Sequence, residues 1–473
     1  MKIEKVIGSF LLSLLFLSLP LKIEAATALT LKEAIRLSLK NNPEILNSQD
    51  NLKMANLSLK LTEKNFLSPE INLTLNPFNL INIQGEEKKT ETEMELGGEV
   101  KSSKGCEIKT NYKGNYDYHK EKYTSYYSLQ IKQVLFRDSK LTPAYLQLYK
   151  AKIAEEEAEL DLKWKEKEVI LSTVKNFLYL QEMEDSLNLT KEKIKQEQLK
   201  LEKIKKMVEK GFAGDLDLLE IKIKLEEDKE KLHNLEDESN LKRCEFFHSL
   251  GLEKNISLPL THPQILKDKL KKETKKLVKE EFNKKIILQN IKVEKAYHKV
   301  DEGNLQLKTA KRDLHPDLSL TLGYTSKKVP PEEFEPAEWR VGLNLTYKLF
   351  DSGKRKISEK IAYESLKEAK RELEETKDSV ETNIYSKKNE LKKAISQLEL
   401  LDLKREKEEL ELKLKNRQFI SGIISKEELR DFQIEEKEIE NSYQQALHNL
   451  LISYLSYRES LGIELNINEV ILK

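Results

Sequence analysis

The distribution of proline is the feature that most constrains this fold. No proline lies between Pro143 and Pro259, and none follows Pro336. A proline inside a helix costs about 3 kcal/mol, so both stretches are free to be helical over most of their length. The glycines that interrupt them are Gly211, Gly214 and Gly251 in the first and, after Gly353, Gly422 and Gly462 in the second. Each stretch therefore predicts a long helix, a break, a shorter helix and a second break.

Apolar residues repeat every seven positions in both stretches. The repeating residues are Leu180, Leu187, Ile194, Leu201 and Val208 in the first and Ile384, Leu391 and Leu398 in the second. Heptads of this kind indicate helices that pack along a seam. A helix over residues 139–207 would be on the order of 100 Å long, which a compact domain cannot hold.

Charged residues make up 35% of the chain, with 83 Lys and Arg against 82 Asp and Glu. Average soluble proteins contain roughly 25% charged residues, so the excess favours long exposed helices or coiled coils over a thick globular core. Nucleic-acid binding needs a basic surplus, and the balanced signs argue against it.

The first 26 residues have the pattern of a secretory signal peptide. Lys2 and Lys5 precede an apolar run from Val6 to Leu19, and the small residues Ala25 and Ala26 close the segment. The run is shorter than the roughly 20 apolar residues of a membrane-spanning helix, although a retained anchor is the alternative. No other run reaches that length. We therefore expect an exported chain without a transmembrane helix, which could still enter a membrane as a β-barrel.

Two segments of the second half alternate apolar and polar residues. Their apolar positions are Leu318, Leu320, Leu322 and Tyr324 in one and Val341, Leu343, Leu345 and Tyr347 in the other. A soluble sheet with one wet face would give the same pattern. The aromatic residues favour a membrane: Tyr324 and Trp339 flank the Pro- and Glu-rich loop between the segments, and Tyr347 closes the far end. That placement is typical of the interfacial girdles of a membrane barrel.

The first half contains four segments of the same kind between residues 70 and 135. Their charged residues occupy the polar positions, among them Glu93, Glu95, Glu99, Lys109 and Lys113. A charge that faces lipid near mid-membrane costs roughly 2 to 4 kcal/mol, so this segregation is what a water-filled lumen would require. A few strands cannot close such a barrel, and several chains would have to contribute strands.

Landmarks of the first half recur 211 positions later. Gly211 corresponds to Gly422, Asp217 to Glu428, and Gly251 to Gly462. Each half then predicts a short helix, strands, a long helix, a turn containing glycine and a shorter helix. Both strand sets would lie at one end of the molecule and both glycine turns at the other.

These boundaries predict a signal peptide and two tandem repeats, at residues 1–26, 27–258 and 259–473. The first repeat is expected to contain strands within 70–135, a long helix over 139–207 and a helix over 215–250. The second is expected to contain strands within 317–348 and helices over 353–416 and 425–461.

Three motifs make this sequence resemble the outer membrane efflux protein (TolC-like) family. The first is the opening Leu29–Ile35 (LTLKEAI), followed by Asn41–Ile45 (NNPEI). The second is Leu349–Lys354 (LFDSGK), where a strand passes into a long helix. The third is the pair of turns Gly211–Leu218 and Gly422–Leu429. The resemblance covers nearly all of the chain after the signal peptide.

The resemblance implies a homotrimeric exit duct. Its fold would be mainly α with a β-barrel segment: long antiparallel coiled-coil helices form a periplasmic tunnel, and strands from three chains form a barrel in outer-membrane lipid. Such a duct passes small molecules or polypeptides from an inner-membrane pump, in a tripartite efflux or type I secretion system. It works with a periplasmic adaptor (membrane fusion) protein. The implied location is the outer membrane, with an extension into the periplasm.

The resemblance also implies roles for individual residues. Glu428 and Asp431 would form an acidic pore constriction, with Asp217 as the aspartate that locks the gate. The residues that would contact the adaptor are Gly211, Phe212, Gly422 and Ile423. For Glu428 and Asp431 the alternative is a pair of solvated acids favoured by the dipole at a helix start.

Two features depart from the family. The Tyr and Arg of the locking network in its best-known member fall on Phe419 and Ile424, which can form neither the phenolic hydrogen bond nor the ion pair. The first half also offers four candidate strands where the family usually has two.

The sequence contains no motif of catalysis. The seven histidines are scattered without an HExxH, and a Gly-rich phosphate loop, a nucleophile elbow and a CxxC are missing. Cys106 and Cys244 are too few for a disulfide framework or a zinc cluster. We therefore expect no enzyme, no metal and no cofactor. The alternative function is a non-transporting periplasmic coiled-coil tether or adaptor, which would explain the helices but not two amphipathic strand sets.

Overall fold

The computed structural model describes residues 28–81, 89–102, 104–118, 120–135, 139–252, 258–280, 285–328 and 336–465. The predicted signal peptide and residues 330–335 of the Pro- and Glu-rich loop lie outside these ranges.

The first half of the chain alternates helices and strands in the predicted order. Its elements are α1 (Leu31–Asn41), α2 (Pro43–Leu67), β1 (Glu70–Ile81), β2 (Lys89–Lys101), β3 (Cys106–Asp117), β4 (Lys122–Leu135), a 3₁₀ turn (Ser139–Leu141), α3 (Pro143–Glu209) and α4 (Asp215–Ser249).

The second half has the same order with fewer strands. Its elements are α5 (Lys267–Lys279), α6 (Lys285–Leu288), α7 (Ile291–Arg312), β5 (Asp317–Lys328), β6 (Glu338–Thr346), α8 (Lys354–Ile420) and α9 (Lys426–Ser460). In the described part of the chain, no helix has both the length and the apolar character needed to cross a membrane.

The long helices of the two halves are matched in length. α3 and α8 contain 67 residues each, and α4 and α9 contain 35 residues each. Both helices of the second half begin and end 211 positions after their counterparts. The predicted fold class, mainly α with a strand segment in two tandem repeats, is confirmed.

The Asn41–Asn42–Pro43 motif joins the start of α2 to the end of α4. Asn42 accepts a hydrogen bond from the Glu44 backbone N–H (2.8 Å) and donates to the Ser249 carbonyl (3.0 Å). Pro43 occupies the first turn, where its missing N–H costs nothing. Gly251 follows α4 at φ 70°, and a Cβ there would lie 2.4 Å from that of Asn41. Glycine is therefore required at position 251, because φ is positive there and because a side chain would clash with Asn41.

A tight elbow joins β6 to α8. Ser352 and Gly353 both have positive φ, and Asp351 accepts hydrogen bonds from the backbone N–H groups of Gly353 (3.0 Å) and Arg355 (3.2 Å). The Arg355 side chain donates to Asp351 (2.6 Å), to the Asp313 carbonyl after α7 (3.3 Å) and to the Lys348 carbonyl. These hydrogen bonds from Arg355 lower the pKa of Asp351. One guanidinium thus ties the end of β6, the end of α7 and the start of α8 together.

The helices form a layer with two edges. Near the strands the packing order is α2, α3, α7, α8, and toward the glycine turns it is α4, α3, α9, α8. α2 and α4 therefore form one flank of the layer, and α8 forms the other. The strands run across the sheet in the same direction as the helices across the layer: β1 follows α2 on one flank, and β6 precedes α8 on the other.

The heptad seams differ in burial between the halves. Ile384, Leu391 and Leu398 are fully buried, whereas Leu187 and Leu201 are only half-buried. Around mid-length the seams merge into a core that includes Phe177, Phe246, Phe247, Leu450, Leu451 and Tyr454.

Candidate functional site

Both predicted tip turns have the same helix-ending geometry. After α3, the Phe212 N–H donates to the Met207 carbonyl (2.8 Å) and the Gly211 N–H to the Val208 carbonyl (2.9 Å). After α8, Ile423 and Gly422 form the equivalent pair of hydrogen bonds. Gly211 and Gly422 have φ of 76° and 73°. These are Schellman motifs, in which the position after the helix cap needs a left-handed backbone.

The two tip glycines face open space. A Cβ on Gly211 or Gly422 would meet nothing within 4 Å in the chain. Glycine is thus required by the backbone angle alone. Phe212 and Ile423, the next residues, are 76% and 71% exposed. Each turn therefore carries a strongly exposed apolar side chain.

Asp217 and Glu428 cap the helices that follow the turns. An Asp217 carboxylate oxygen accepts from the Gly214 N–H (2.9 Å), and a Glu428 oxygen accepts from the Ser425 N–H (2.7 Å). The Ser425 hydroxyl in turn accepts from the Glu428 N–H (3.2 Å), which completes a capping box. The backbone hydrogen bond from Ser425 lowers the pKa of Glu428. The predicted gate-locking residue Asp217 and the predicted constriction residue Glu428 thus both act as helix caps.

Asp431 bonds across the two repeats. Its carboxylate lies 2.7 Å from the Lys200 ammonium and 3.2 Å from the Gln196 amide nitrogen, both on α3. One turn away, Lys203 and Glu427 form a second ion pair at 2.5 Å. Partial burial opposes the charge of Lys200, but the carboxylates beside it outweigh this and raise its pKa. These contacts hold the tip of α3 to the start of α9.

A groove of about 510 Å³ brings four of the predicted tip residues together. Phe212 and Asp217 of the first repeat line it together with Glu428 and Asp431 of the second. Its apolar lining includes Ile204, Met207 and Ile221. Gly422 and Ile423 do not line this groove. The tip is therefore a joint structure of both repeats, with an apolar floor and a charged rim.

Sequence reasoning missed Gln196, Lys200 and Lys203. Their spacing of four and three residues places them on one face of α3, which is the signal that could have found them. At the positions of the family's locking network, Phe419 is 38% exposed and Ile424 is half-buried. The ion pairs of Lys200 and Lys203 hold α3 to the start of α9 close to those positions.

The sheet has one apolar and one polar face across all six strands. Laterally paired residues lie on the same face of a sheet, and Leu73, Leu96, Tyr112, Tyr127 and Ser326 form one such row. A row two residues away begins at Ile71 and ends at Trp339. The alternating apolar residues of the sequence therefore share one face, with few polar residues among them.

The predicted interfacial aromatics occupy both ends of the second-repeat strands. Tyr324 and Trp339 are paired residues, with ring centroids 4.8 Å apart. Tyr127 of β4 joins them, at 5.9 Å from Tyr324. Tyr347 follows the opposite end of β6, and the Arg355 guanidinium lies 5.3 Å from its ring. Tyr127 is the member of this cluster that the sequence did not single out.

The polar face of β2 and β3 carries a ladder of charged and amide pairs. Lys109 bridges Glu99 (3.2 Å) and Glu107 (2.8 Å). Asn111 donates to Glu95 (2.6 Å), Asn115 donates to Glu91 (2.8 Å), and Lys113 pairs with Glu93. In β5 and β6 the same face carries hydroxyls and amides at mid-strand, where Asn344 donates to Thr321 (3.0 Å), and an ion pair of Arg340 with Glu338 (2.9 Å) near the loop end. The charged ladder of β2 and β3 and the hydroxyls and amides at the middle of β5 and β6 thus share one continuous face.

Comparison with known proteins bears on this geometry. Residues 284–463 match the family described as outer membrane efflux protein. The match covers most of the second repeat. The resemblance inferred from the three motifs is confirmed. No curated protein matches the chain in sequence.

The fold is that of solved outer-membrane channels. The CmeC outer membrane channel of Campylobacter jejuni is 15% identical, with a TM-score of 0.65 over 94% of this chain and 90% of that one. The outer membrane protein VceC of Vibrio cholerae is 11% identical (TM-score 0.64, 91% and 96% covered). The open state of the Neisseria gonorrhoeae MtrE outer membrane channel is 12% identical (TM-score 0.64, 92% and 89% covered). These likenesses extend the efflux-protein fold over both repeats.

Proposed function

We propose that this chain is the outer-membrane exit duct of a tripartite efflux or type I secretion system. It passes small molecules or polypeptides from an inner-membrane pump across the periplasm and the outer membrane. One observation carries the proposal: a six-stranded sheet with one apolar and one polar face leads into two helices of 67 residues, each roughly 100 Å long. A periplasmic tether needs the helices but has no use for such a sheet.

The flanks of the helix layer support assembly with further copies. Exposed apolar residues form rows on both flanks: Met54, Leu57, Leu61, Leu216 and Ile223 on α2 and α4, and Ile361, Leu403, Leu410 and Leu414 on α8. Burying each such side chain contributes about 1.5 to 3 kcal/mol. Because the two flanks differ, they fit a head-to-tail ring. We infer a homotrimer, taking the number of copies from the family.

The tip supports the partner assignments. Phe212 and Ile423 expose apolar side chains beside a groove with a charged rim, which suits a periplasmic adaptor protein. Around a three-fold axis, Glu428, Asp431 and Asp217 of each copy would narrow the pore. Their engagement with Ser425, Lys200 and Gly214 fixes the positions of these carboxylates. Location in the outer membrane with a periplasmic extension follows from the same duct.

Conductance tests the proposal. The protein extracted from outer membranes and added to planar bilayers should form water-filled channels with a modest cation preference. Lys200→Ala with Lys203→Ala removes the two ion pairs that join α3 to the start of α9, Lys200–Asp431 and Lys203–Glu427, and should raise the conductance of a closed tip. Lys205→Ala, on the exposed side of the same helix, is the matched control and should not.

The acidic constriction is tested in the same bilayers. Six clustered carboxylates would bind a trivalent cation, so Glu428→Ala with Asp431→Ala should abolish its block at micromolar concentration while assembly is retained. Unchanged block would place the constriction elsewhere. A folded trimer from the outer membrane that never conducts, even with Lys200 and Lys203 replaced, would contradict the duct itself.

A further inference from the structure

The six-stranded sheet ends in two edges, and its residue pairing determines how another copy can cover them. β1 and β6 are the edge strands. On β1, Ile71, Leu73 and Leu75 are strongly exposed, as are Val341, Leu343 and Leu345 on β6. In lipid, an open edge would leave backbone N–H and C=O groups without partners. The argument rests on the proposed function, which places the sheet in a membrane.

Rows of paired residues run obliquely across the sheet. One row contains Trp339, Tyr324, Leu129, Thr110, Gly98 and Ile71. Trp339 is the second residue of β6, at the loop end, whereas Ile71 is the second residue of β1, at the helix end. β6 meets its helix at Thr346, seven residues beyond this row. β1 meets its helix at Glu70, one residue from the row. The sheet is therefore staggered by six residues between its two edges.

This stagger has the size that a closed, tilted barrel needs. Six residues at about 3.3 Å each rise by about 20 Å, and six strands about 4.8 Å apart span about 29 Å. The corresponding strand tilt is about 35°, which falls in the range of outer-membrane barrels. A sheet without stagger would close only with strands parallel to the barrel axis. One chain thus has the geometry of one sector of a barrel.

We propose that β6 of one copy pairs antiparallel with β1 of the next copy, with Thr346 opposite Glu70, Leu343 opposite Leu73 and Val341 opposite Leu75. The two edges run in opposite directions, as an antiparallel pair requires. A shift by one residue would place Leu343 opposite Asn72 or Thr74 and mix the apolar and polar faces. A bulge lies between Asn76 and Asn79 of β1, so regular pairing covers residues 70–76 and 340–346.

Three copies paired in this way form a barrel of eighteen strands. At a tilt of about 35°, its backbone radius is about 17 Å, in the size class of porins with an aqueous channel. The four strands of the first repeat, where the family usually has two, are what widens it. The polar face with the Lys109 and Lys113 ladders then lines the lumen, and the apolar face contacts lipid.

Disulfide and thiol crosslinking tests the pairing. The chain contains two cysteines, Cys106 and Cys244, so Cys106→Ser with Cys244→Ser provides the background. In that background Leu73→Cys with Leu343→Cys should give covalent trimers on treatment with an oxidant or a short bismaleimide. Asn72→Cys with Asn344→Cys tests the next pair, on the lumen face and of the opposite hydrogen-bonding class. The matched controls combine Leu343→Cys with Ile71→Cys or with Leu75→Cys, each shifted by two residues.

The expected result is a several-fold excess of covalent trimer in the two proposed pairs over both controls. A higher yield in a shifted control, from a conducting trimer, would overturn this register and leave the duct function standing. A conducting trimer without crosslinks in any pair would overturn the pairing of β1 with β6. Protein that is neither trimeric nor heat-modifiable in outer-membrane fractions would overturn both this inference and the proposed function, which separates the two failures.

Discussion

The two repeats agree in their helices and differ in their strands. α3 and α8 have the same length and the same turn after them, as do α4 and α9. The first repeat, however, supplies four strands and the second supplies two. Helix length is constrained because both tips must reach the same level and share the groove lined by Phe212 and Asp431. Strand number is less constrained, because each added hairpin presents the same two faces.

The repeats also differ in what their strands carry on the polar face. In the first repeat paired charges run along the face, with Lys109 between Glu99 and Glu107. In the second, the middle of the face carries hydroxyls and amides such as Thr321 and Asn344, and a charge pair, Arg340–Glu338, lies near the loop end. Alternation of apolar residues is common to both. The comparison teaches that both repeats keep the same apolar face, while the side chains on the polar face differ from strand to strand.

The largest expected effect comes from blocking both tip turns together. Gly211→Trp with Gly422→Trp should abolish export and the crosslinking of an adaptor at Phe212 or Ile423, because bulky side chains would cover both turns. The trimer and its membrane location should be unchanged, since the sheet is roughly 100 Å away. Single substitutions show whether the repeats contribute equally.

The control for this pair is Gly211→Ala with Gly422→Ala. Both residues have positive φ, so each alanine should cost about 1 kcal/mol in stability without covering the turn. Adaptor crosslinking that survives in a correctly located tryptophan variant would refute the docking role.

Substitution of a fully buried seam residue should cost more stability than substitution of a half-buried one. Leu391 is fully buried in its seam, whereas Leu201 is half-buried. Leu391→Ala should therefore cost about 2 to 5 kcal/mol, and Leu201→Ala clearly less. Denaturant unfolding of the purified trimer measures both. Equal losses would show that contacts with neighbouring copies complete the burial of Leu201.

Charge substitutions on the polar face should separate the repeats by ion selectivity. Lys109→Met leaves Glu99 and Glu107 without their shared cation, so the reversal potential in a salt gradient should shift toward cations. Thr321→Val removes a hydrogen bond to the Gly342 carbonyl (3.1 Å) but no charge, and it should leave the reversal potential unchanged. A shift of similar size in both variants would mean that the ladder does not face the lumen.

The smallest expected effect concerns the helix cap of the second repeat. The Ser425 N–H lowers the pKa of Glu428 from its ordinary value of 4.5. A carboxyl with a lowered pKa stabilises the folded state above its unfolded value, and this contribution is lost as the pH falls through the folded value. Glu428→Gln should therefore reduce the loss of thermal stability below pH 4.5. An identical acid profile for both proteins would contradict this role.

Much of the fold follows from local patterns in the sequence. The absence of proline and the heptads gave the long helices, and alternation gave the faces of all six strands. The glycines at 211 and 422 marked the turns because left-handed backbone favours glycine. Each of these signals depends on residues close together in the chain.

The remaining features depend on how distant elements are placed. The pair Lys200–Asp431 joins residues in different repeats, and its formation requires a particular rotation of α3 against α9. The stagger of the sheet does not follow from the sequence pattern either, because the alternation of apolar and polar residues fixes the pairing of two strands only to within steps of two residues. The role of Asp217 as a helix cap was also missed, although Gly214 three residues earlier was a visible signal.

The elbow at Arg355 has a mechanical consequence. Its guanidinium is bonded to the end of β6, the end of α7 and the start of α8. These hydrogen bonds restrict rotation of β6 relative to α8. A rotation of α8 that reached this elbow would have to break these hydrogen bonds or turn β6 with it. In the proposed trimer, a partner that twists the tip of α8 would in this way also strain the proposed pairing of β6 with β1 of the next copy.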